Sequence, residues 1–364
     1  MGLAMTGGAV ALAGWVVGWL ILFRLPRCRS AALEGWPTVS VIIPARNEEA
    51  NLPRRLQSLQ MQPRKPDEIL VVDDDSTDRT AACAAAGGAR VLTSKPLAPG
   101  WRGKAWACFQ GSQEAGGDVL VFLDADTYLA PGGFERMIQT FASHSGAMSI
   151  APDHRIRLPY ENLSAFFNLL MVMGIGAFTA WGRPGRATGF VGPCLLISAQ
   201  DYTAVGGHES VKGEVLENLH LAKRLTAQGL STHCYGGRNT LSFRMYPDGL
   251  PGLLEGWRKA FASGAAQTPP VLHILIVFWL STAAISAAAL PLSWLGDASI
   301  WVPALVGYGL FALQIGIQLR RIGNFSPWAA ALYPVPLFFF FGLFFQSRGG
   351  KQATWKGRDV SVNA

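Results

Sequence analysis

Two stretches of the sequence drive an apolar run into a cluster of carboxylates. "VVDDDSTDRT" (Val71 to Thr80) presents Asp73, Asp74 and Asp75 after two valines, and "VFLDADTYLA" (Val121 to Ala130) presents Asp124 and Asp126 after Val-Phe-Leu. One such cluster reads as a solvated turn or a helix cap. Two at the same kind of position point to a site. An Asp-x-Asp at a strand end sets two carboxylates around a hard divalent cation, Mg2+ or Mn2+, which keeps open positions for phosphate oxygens. Positive charge there stabilises a departing diphosphate. A nucleoside diphosphate sugar fits this chemistry, with the earlier cluster available to base or ribose. Neither a GxxxxGK[ST] loop nor a GxGxxG fingerprint follows a strand, which lowers the weight of other phosphate cradles.

These carboxylates need strands to carry them. "VSVIIPA", "EILVVDD", "ARVLTS", "DVLVFLDAD" and "AMSIAP" are short apolar, largely β-branched runs between Thr38 and Pro152. Helical patterns separate them. Leu52, Leu56 and Leu59 recur at helical spacing, Ser76 is placed to cap a segment ending at Gly87-Gly88, and "GKAWACFQGSQEAGG" stops in glycines. Continuous apolar strands alternating with helices predict a mostly parallel sheet covered on both faces, with ligands outside the carboxyl ends of its strands.

The chain has 364 residues, half of them apolar and only 15% charged, which is too hydrophobic for an ordinary soluble domain. A span needs about 20 apolar residues. Leu3 to Phe23 supplies one, read as a retained anchor because no positive charge precedes it and "RLPRCRS" follows in place of a small-residue cleavage site. Arg24, Arg27 and Arg29 after it put the central region in the cytoplasm. Three further apolar stretches run from about Val271 to Leu292, Ile300 to Leu319 and Trp328 to Phe345. Arg320 and Arg321 mark a cytoplasmic end, and so do Arg348, Lys351, Lys356 and Arg358; three full spans cannot satisfy both, unless Pro334 and Pro336 make the last segment re-entrant or the tail lies outside. The expected partition is an anchor over 1–30, a cytoplasmic catalytic domain over 36–268, membrane segments over 269–347 and a basic tail over 348–364, in a multi-pass protein of the cell membrane. Net charge is +7, but the basic residues gather beside apolar stretches where they suit anionic headgroups, so no nucleic acid is expected as partner. Five scattered cysteines without CxxC spacing suit a reducing compartment.

Taken in order, "VSVIIPARNEE", "DDDSTDRT", "GWRGKAWACFQG" and "FLDADT" resemble the nucleotide-sugar-binding half of a family 2 glycosyltransferase of GT-A fold. Further on, "GPCLLISAQDYTAVGGH", "EVLENLHLA", "FRMYPDGLPGLLEGWRKAFASGA" and "WKGRDVSV" are similar to a membrane-bound branch acting in carotenoid pathways. The resemblance implies a nucleotide-sugar-dependent hexosyltransferase with an α/β GT-A domain between N- and C-terminal transmembrane helices. It implies that Pro44 and Glu48 line a uridine pocket, that Asp74 contacts the base, that Lys104 lies near the diphosphate, that Asp124 faces ribose and sugar, and that Asp126 holds the metal. The family also carries a Glu-Asp pair on a helix, its Asp the general base. Here Asn218 occupies the Asp position, and an amide cannot take a proton; Glu217 beside it and Glu214 one turn before are the available substitutes, Glu217 being the candidate adopted.

That departure has a chemical reading. A hydroxyl acceptor needs help to lose its proton, whereas a carboxylic acid with pKa near 4 is already ionised at neutral pH. A carotenoid carboxylate taking one glucose from UDP-glucose, with inversion, to give a glycosyl ester would make a strong base dispensable. Two alternatives stand beside it: transfer to a lipid hydroxyl of ceramide-like or hopanoid type, and a catalytically silent membrane scaffold. The lipid acceptor comes from the bilayer. Tyr160 to Trp181 is read as interfacial or as part of an acceptor channel, and Arg244, Trp257 and Arg258 are placed on the acceptor and membrane side. A Gln-x-x-Arg-Trp motif is absent, so single sugar addition is expected over chain synthesis.

Overall fold

The structure is a computed structural model that describes residues 2–183, 185–214, 217–264, 268–293, 301–347, 352–355 and 358–361. It divides into two compact units. One comprises Pro26–Asp153, Gly185–Arg244 and Thr354–Ala364; the other, helical unit comprises Met1–Leu25, His154–Pro184 and Met245–Ala353. This grouping departs from the linear partition read from sequence, because 154–184 and 245–268 fall with the terminal helices.

In the first unit, the five predicted strands become β1 (Val39–Ala45), β2 (Glu68–Asp73), β3 (Arg90–Thr93), β4 (Val119–Leu123) and β6 (Ala147–Ala151); a short β5 (Thr127–Leu129) and, at the unit's boundary, the two-residue β7 (Asp153–His154) are not among those predicted. Between them lie α2 (Leu52–Gln60), α3 (Thr80–Ala86), α4 (Gly103–Glu114) and α5 (Gly133–Ala142), with α1 (Gly2–Ile21) assigned to the helical unit. After the insertion of 154–184 the chain returns as β8 (Cys194–Ser198), α7 (Ala199–Ala204), α8 (Glu217–Ala227), β9 (Thr232–Gly236) and β10 (Leu241–Phe243). The main sheet has the order β3-β2-β1-β4-β8-β6-β9. Its pairings β2–β3, β1–β2, β1–β4 and β6–β9 are parallel, while β8 runs antiparallel to both β4 and β6. The α/β expectation holds, with an antiparallel strand in the middle that the strand reading did not contain.

Apolar side chains fill both faces, as a sheet covered by helices requires. Val41, Ile43, Val121 and Leu123 pack with Leu52, Leu56 and Leu59 of α2 on one side. On the other, Ile42, Val72, Leu120 and Phe122 pack with Ala107 and Cys108 of α4 and Leu221 and Leu225 of α8. Strand β1 stays paired with β2 through Ala45↔Asp73 but leaves β4 after Ile42↔Phe122. Pro44, which lacks the N–H that a second ladder would use, sits where that second neighbour is gone. The crevice at the reversal of strand order therefore opens between β1 and β4, with the carboxyl ends of β1, β2 and β4 along one edge.

One capping expectation fails. Helix α3 begins at Thr80 after Arg79, and Ser76 does not cap it; its Oγ accepts from the backbone N–H of Asn47 at 3.0 Å. The segment before the helix is used to tie the β2 loop to the β1 loop, so the helix starts later.

The helical unit contains a 3-10 turn (Pro159–Ser164), α6 (Ala165–Gly174), α9 (Leu250–Gly264), α10 (Pro270–Ser293), α11 (Trp301–Ile322), α12 (Pro327–Ala331) and α13 (Pro334–Ser347). Helices α10 and α11 are long and apolar enough to cross a membrane. Val271, Ile274 and Ile285 of α10 and Val302, Val306 and Leu313 of α11 face outward, while Trp279, Thr282, Gln314 and Gln318 face inward. Aliphatic outside and polar inside is the arrangement a hydrocarbon solvent selects. Helix α13 follows a break at Leu332 and has 14 residues, fewer than a full span, and α6 has ten. Glutamine amides bind α1 to α11: Gln314 Nε2 donates to Trp15 O at 2.6 Å and Gln318 Nε2 to Gly18 O at 2.8 Å. In return, Trp15 Nε1 donates to Leu310 O at 3.0 Å. The described parts of the basic tail are strands β11 (Gln352–Trp355) and β12 (Arg358–Ser361); Arg348, Lys351 and Lys356 lie outside the described residues.

Gly111 lets α4 lie close on the sheet, since a Cβ there would come within 2.5 Å of Ile42 Cγ2 and 3.0 Å of Val72 Cγ2. Overpacking of this kind costs about 1–3 kcal/mol. Gly111→Val is expected to lose that much stability in denaturant unfolding of the detergent-solubilised protein, against an unchanged midpoint for Gly116→Ala, whose Cβ meets nothing within 4 Å.

Candidate functional site

The edge where β1, β2 and β4 end carries the residues expected from sequence. Two loops leave β1 and β2 and are locked together. Asn47 and Asp75 both take left-handed backbone conformations, φ 52° and 58°, which Asn and Asp tolerate better than other side chains. Arg46 reaches from the first loop to the backbone oxygen of Asp74 and lies 3.4 Å from the Asp75 carboxylate. The N–H of Thr77 donates to Asn47 Oδ1 at 2.9 Å, and the N–H of Glu48 donates to Thr80 Oγ1 at 2.8 Å. Glu48 Oε2 accepts from Asn51 Nδ2 at 2.8 Å, just ahead of α2. The Asp74 N–H donates to Ala45 O at 2.8 Å, and its residue is buried. Pro44, Glu48 and Asp74 thus lie together at the ends of β1 and β2, Pro44 and Glu48 half-buried.

The second group gathers on Lys104, the second residue of α4. Its Nζ is 2.6 Å from Asp124 Oδ1, 3.5 Å from Glu217 Oε1, and donates to Gly192 O at 3.1 Å. Burial works against the Lys104 charge, but Asp124 and Glu217 outweigh it and raise its pKa well above the usual lysine range. Asn218 Nδ2 donates to the same Gly192 oxygen at 3.0 Å and to Glu217 Oε1 at 3.3 Å. Glu217 opens α8, and both it and Asn218 are buried. Glu214 turns away, its Oε2 3.3 Å from His220 Nε2. Of the two substitute carboxylates, Glu217 is the one brought to Asp124.

Asp124 itself is fixed by its backbone, whose N–H donates to Pro193 O at 3.0 Å while its carbonyl accepts from Thr127 N–H and Oγ1. That turn carries Asp126, half-buried, into β5. Strand β10 pairs antiparallel with β5, Phe243↔Thr127, so one further step of the same register sets Arg244 across from Asp126. Sequence put Arg244 on the acceptor and membrane side; the fold puts its backbone beside the Asp-x-Asp turn. Trp257 and Arg258 belong to the helical unit. The indole of Trp257 is buried, stacks on Phe167 at 4.5 Å and donates to Ser164 Oγ at 2.9 Å, while Arg258 donates to Gln346 Oε1 at 3.2 Å.

Among the described residues no three His, Cys, Asp or Glu side chains come together as a metal cage. Asp124 is engaged by Lys104, and Asp126, on the turn that follows, is the other carboxylate of the pair. One carboxylate with the remaining positions open to phosphate oxygens and water is a donor set that suits Mg2+ or Mn2+ in a nucleotide site. Two contributors were not visible in the sequence. Gly192 acts through a backbone oxygen, signalled only by the Gly-Pro pair before the β8 apolar run, and Arg46 acts by bracing the Asp74-Asp75 loop.

Comparison with known proteins shows a family and a fold. The family described as "Glycosyl transferase family 2" matches residues 40–158. A 4,4'-diaponeurosporenoate glycosyltransferase of Staphylococcus haemolyticus is 35% identical over 334 residues, covering 89% of each chain. Its namesake in Staphylococcus aureus is 34% identical over 335 residues, covering 89% of this chain and 88% of the other. A mannosyltransferase of Pyrobaculum calidifontis, solved in complex with GDP-Man and Mn2+, superposes with a TM-score of 0.57 over 94% of this chain and 98% of its own, at 18% identity, a likeness of fold.

Replacing Lys104 by Met leaves Asp124 and Glu217 facing each other without their shared cation, and is expected to cost about 1–3 kcal/mol in unfolding. A raised lysine pKa contributes stability that is complete below the unfolded-state value and is lost only as pH rises through the folded-state value. The deficit of Lys104→Met relative to wild type should therefore stay level from pH 7 to about 10. Unfolding midpoints at intervals across that range check it.

Proposed function

The chain belongs to glycosyltransferase family 2 as a nucleotide-sugar-dependent enzyme of GT-A fold, and we propose that it transfers one glucose from UDP-glucose, with inversion, to a membrane lipid carboxylate of carotenoid type. The product is a glycosyl ester. What carries this reading is the acceptor-side helix, where Asn218 stands in the general-base position and Glu217 Oε1 is already engaged by Lys104 and Asn218. The donor side supports it through the Pro44, Glu48 and Asp74 group for uridine, Lys104 for the diphosphate and Asp124 for ribose and sugar. The names of the relatives supply the acceptor class.

In this mechanism an ionised carboxylate oxygen attacks the anomeric carbon, the bond from that carbon to the diphosphate oxygen breaks, and UDP departs with the electron pair. No proton has to leave the acceptor. Asp126 would hold a divalent cation, which when bound neutralises charge on the diphosphate. Lys104 adds fixed positive charge at the same edge, and Arg244 lies one register step beyond β10. Glu217 orients the acceptor and takes a proton only where the acceptor brings one. The enzyme is placed as a multi-pass protein of the cell membrane, α10 and α11 crossing it and the catalytic unit on the cytoplasmic side, as Arg24, Arg27 and Arg29 after α1 favour.

Mass spectrometry of products formed from UDP-glucose and candidate lipids in detergent tests the reading. A glycosyl ester of a polyene carboxylate is expected, with little transfer to ceramide-like or hopanoid hydroxyls; transfer only to hydroxyls would reverse it, and failure to release UDP with any acceptor would favour a silent scaffold. Glu217→Gln is expected to retain at least about a tenth of ester formation, since general-base assistance adds about 100-fold or more only where a proton must move. Complete loss in a folded Glu217→Gln protein would defeat the carboxylate account. Asp126→Asn is expected to lower turnover about 100-fold or more.

A further inference from the structure

Helix α2 braces the turn that follows Asp124 and Asp126. Arg54 lies over the Tyr128 ring, 3.7 Å from its centroid, Ser58 Oγ accepts from Leu129 N–H at 3.1 Å, and Gln62 Nε2 donates to Ala130 O at 3.1 Å. Arg55, on the same helix, is a different case. It is 0% exposed, on the face that also buries Leu52, Leu56 and Leu59, and none of its three guanidinium nitrogens has a hydrogen-bond partner among the described residues. Burial lowers its pKa to about 10, with Cys194, Asp126 and Asp124 acting in the opposite sense, so it remains a cation at neutral pH. A buried charge is tolerated when opposite charges answer it. Ser58, one turn further along the same helix, holds Leu129 of the strand that follows Asp126, and from that side the charges acting on Arg55 are those of the Asp-x-Asp turn.

We propose that Arg55 is a resident counter-ion of that turn, a positioning residue that offsets the charge of Asp124 and Asp126 when no cation is bound and weakens the hold of Asp126 on a divalent metal. The inference rests on the reading that Asp126 holds such a metal. A fixed positive charge behind a carboxylate repels the cation in front of it. Metal bound by the protein alone is then weak, and binding becomes firm only when diphosphate oxygens complete the set, so the ion arrives and departs with the nucleotide.

Mn2+ titration of the full-length protein in detergent, without donor or acceptor and followed by the electron paramagnetic resonance signal of free Mn2+, tests this. Arg55→Met is expected to tighten the Mn2+ Kd about tenfold, while Arg55→Lys, which keeps the charge, stays within about twofold of wild type. The Met variant should unfold below the wild-type temperature when no metal is present, because it leaves the carboxylates of the turn without their buried counter-ion. Should it fail to fold, Arg55→Gln takes its place with the same expectation. An unchanged Kd in the neutral variant, or equal shifts in the neutral and Lys variants, overturns the counter-ion role while leaving the metal reading standing. A wild type that does not bind Mn2+ even with UDP present, or an Asp126→Asn protein that binds it as well as wild type, removes the metal reading and this inference with it.

Discussion

The approach of Asp124 to Glu217 is the contact on which the catalytic unit is organised, and it exists because one ammonium stands between them. Two carboxylates from segments nearly a hundred residues apart repel unless a cation answers both. Lys104 does so at 2.6 and 3.5 Å, and its remaining hydrogen bond to Gly192 O draws in the segment that starts β8. Four pieces of chain are thereby fixed on one point: the start of α4, the end of β4, the segment before β8 and the start of α8. The glycine that lets α4 settle on Ile42 and Val72, and the Asp124 N–H to Pro193 O bond, exist in service of the same placement.

The sheet supplies the edge on which this happens. Because β1 parts from β4 after Ile42 while staying with β2 to Ala45, the end of β1 turns toward the β2 loop. The two loops then form one structure, held by reciprocal bonds between 46–49 and 74–80. The rim at that place is built largely from backbone groups and polar side chains, with little demand on the apolar core below.

Much of this was legible in the residues. Apolar runs gave β1, β2 and β4, the last two of them ending in Asp, since strand period and charge are written locally. Asp124 and Asp126 could be named for the same reason, whereas Lys104 was named only through the family resemblance. The antiparallel β8 was missed because direction is a matter of pairing, Leu123↔Cys194, between distant residues. Gly192 contributes an oxygen that every residue possesses, so the Gly-Pro pair marks a turn there but not the contact with Lys104. Arg55 reads as a solvated helix arginine next to Arg54, and only packing shows that one lies on a tyrosine and the other is enclosed. The grouping of 154–184 and 245–268 with the terminal helices follows from aromatic contacts such as Phe167 with Trp257 and Phe340, which sequence distance conceals.

The glutamine contacts in the helical unit have a separate consequence. Trp15 O and Gly18 O, nearly one turn apart on α1, receive amides from Gln314 and Gln318, spaced four apart on α11. Both acceptors belong to the backbone, so what is read is the phase of α1 and not its side chains. Sliding or rotating α1 by a single residue would break both bonds together, in surroundings where no water replaces them. The first helix is consequently a keyed part of the bundle: cutting it away to make a shorter, more soluble protein would leave two primary amides stranded in oil.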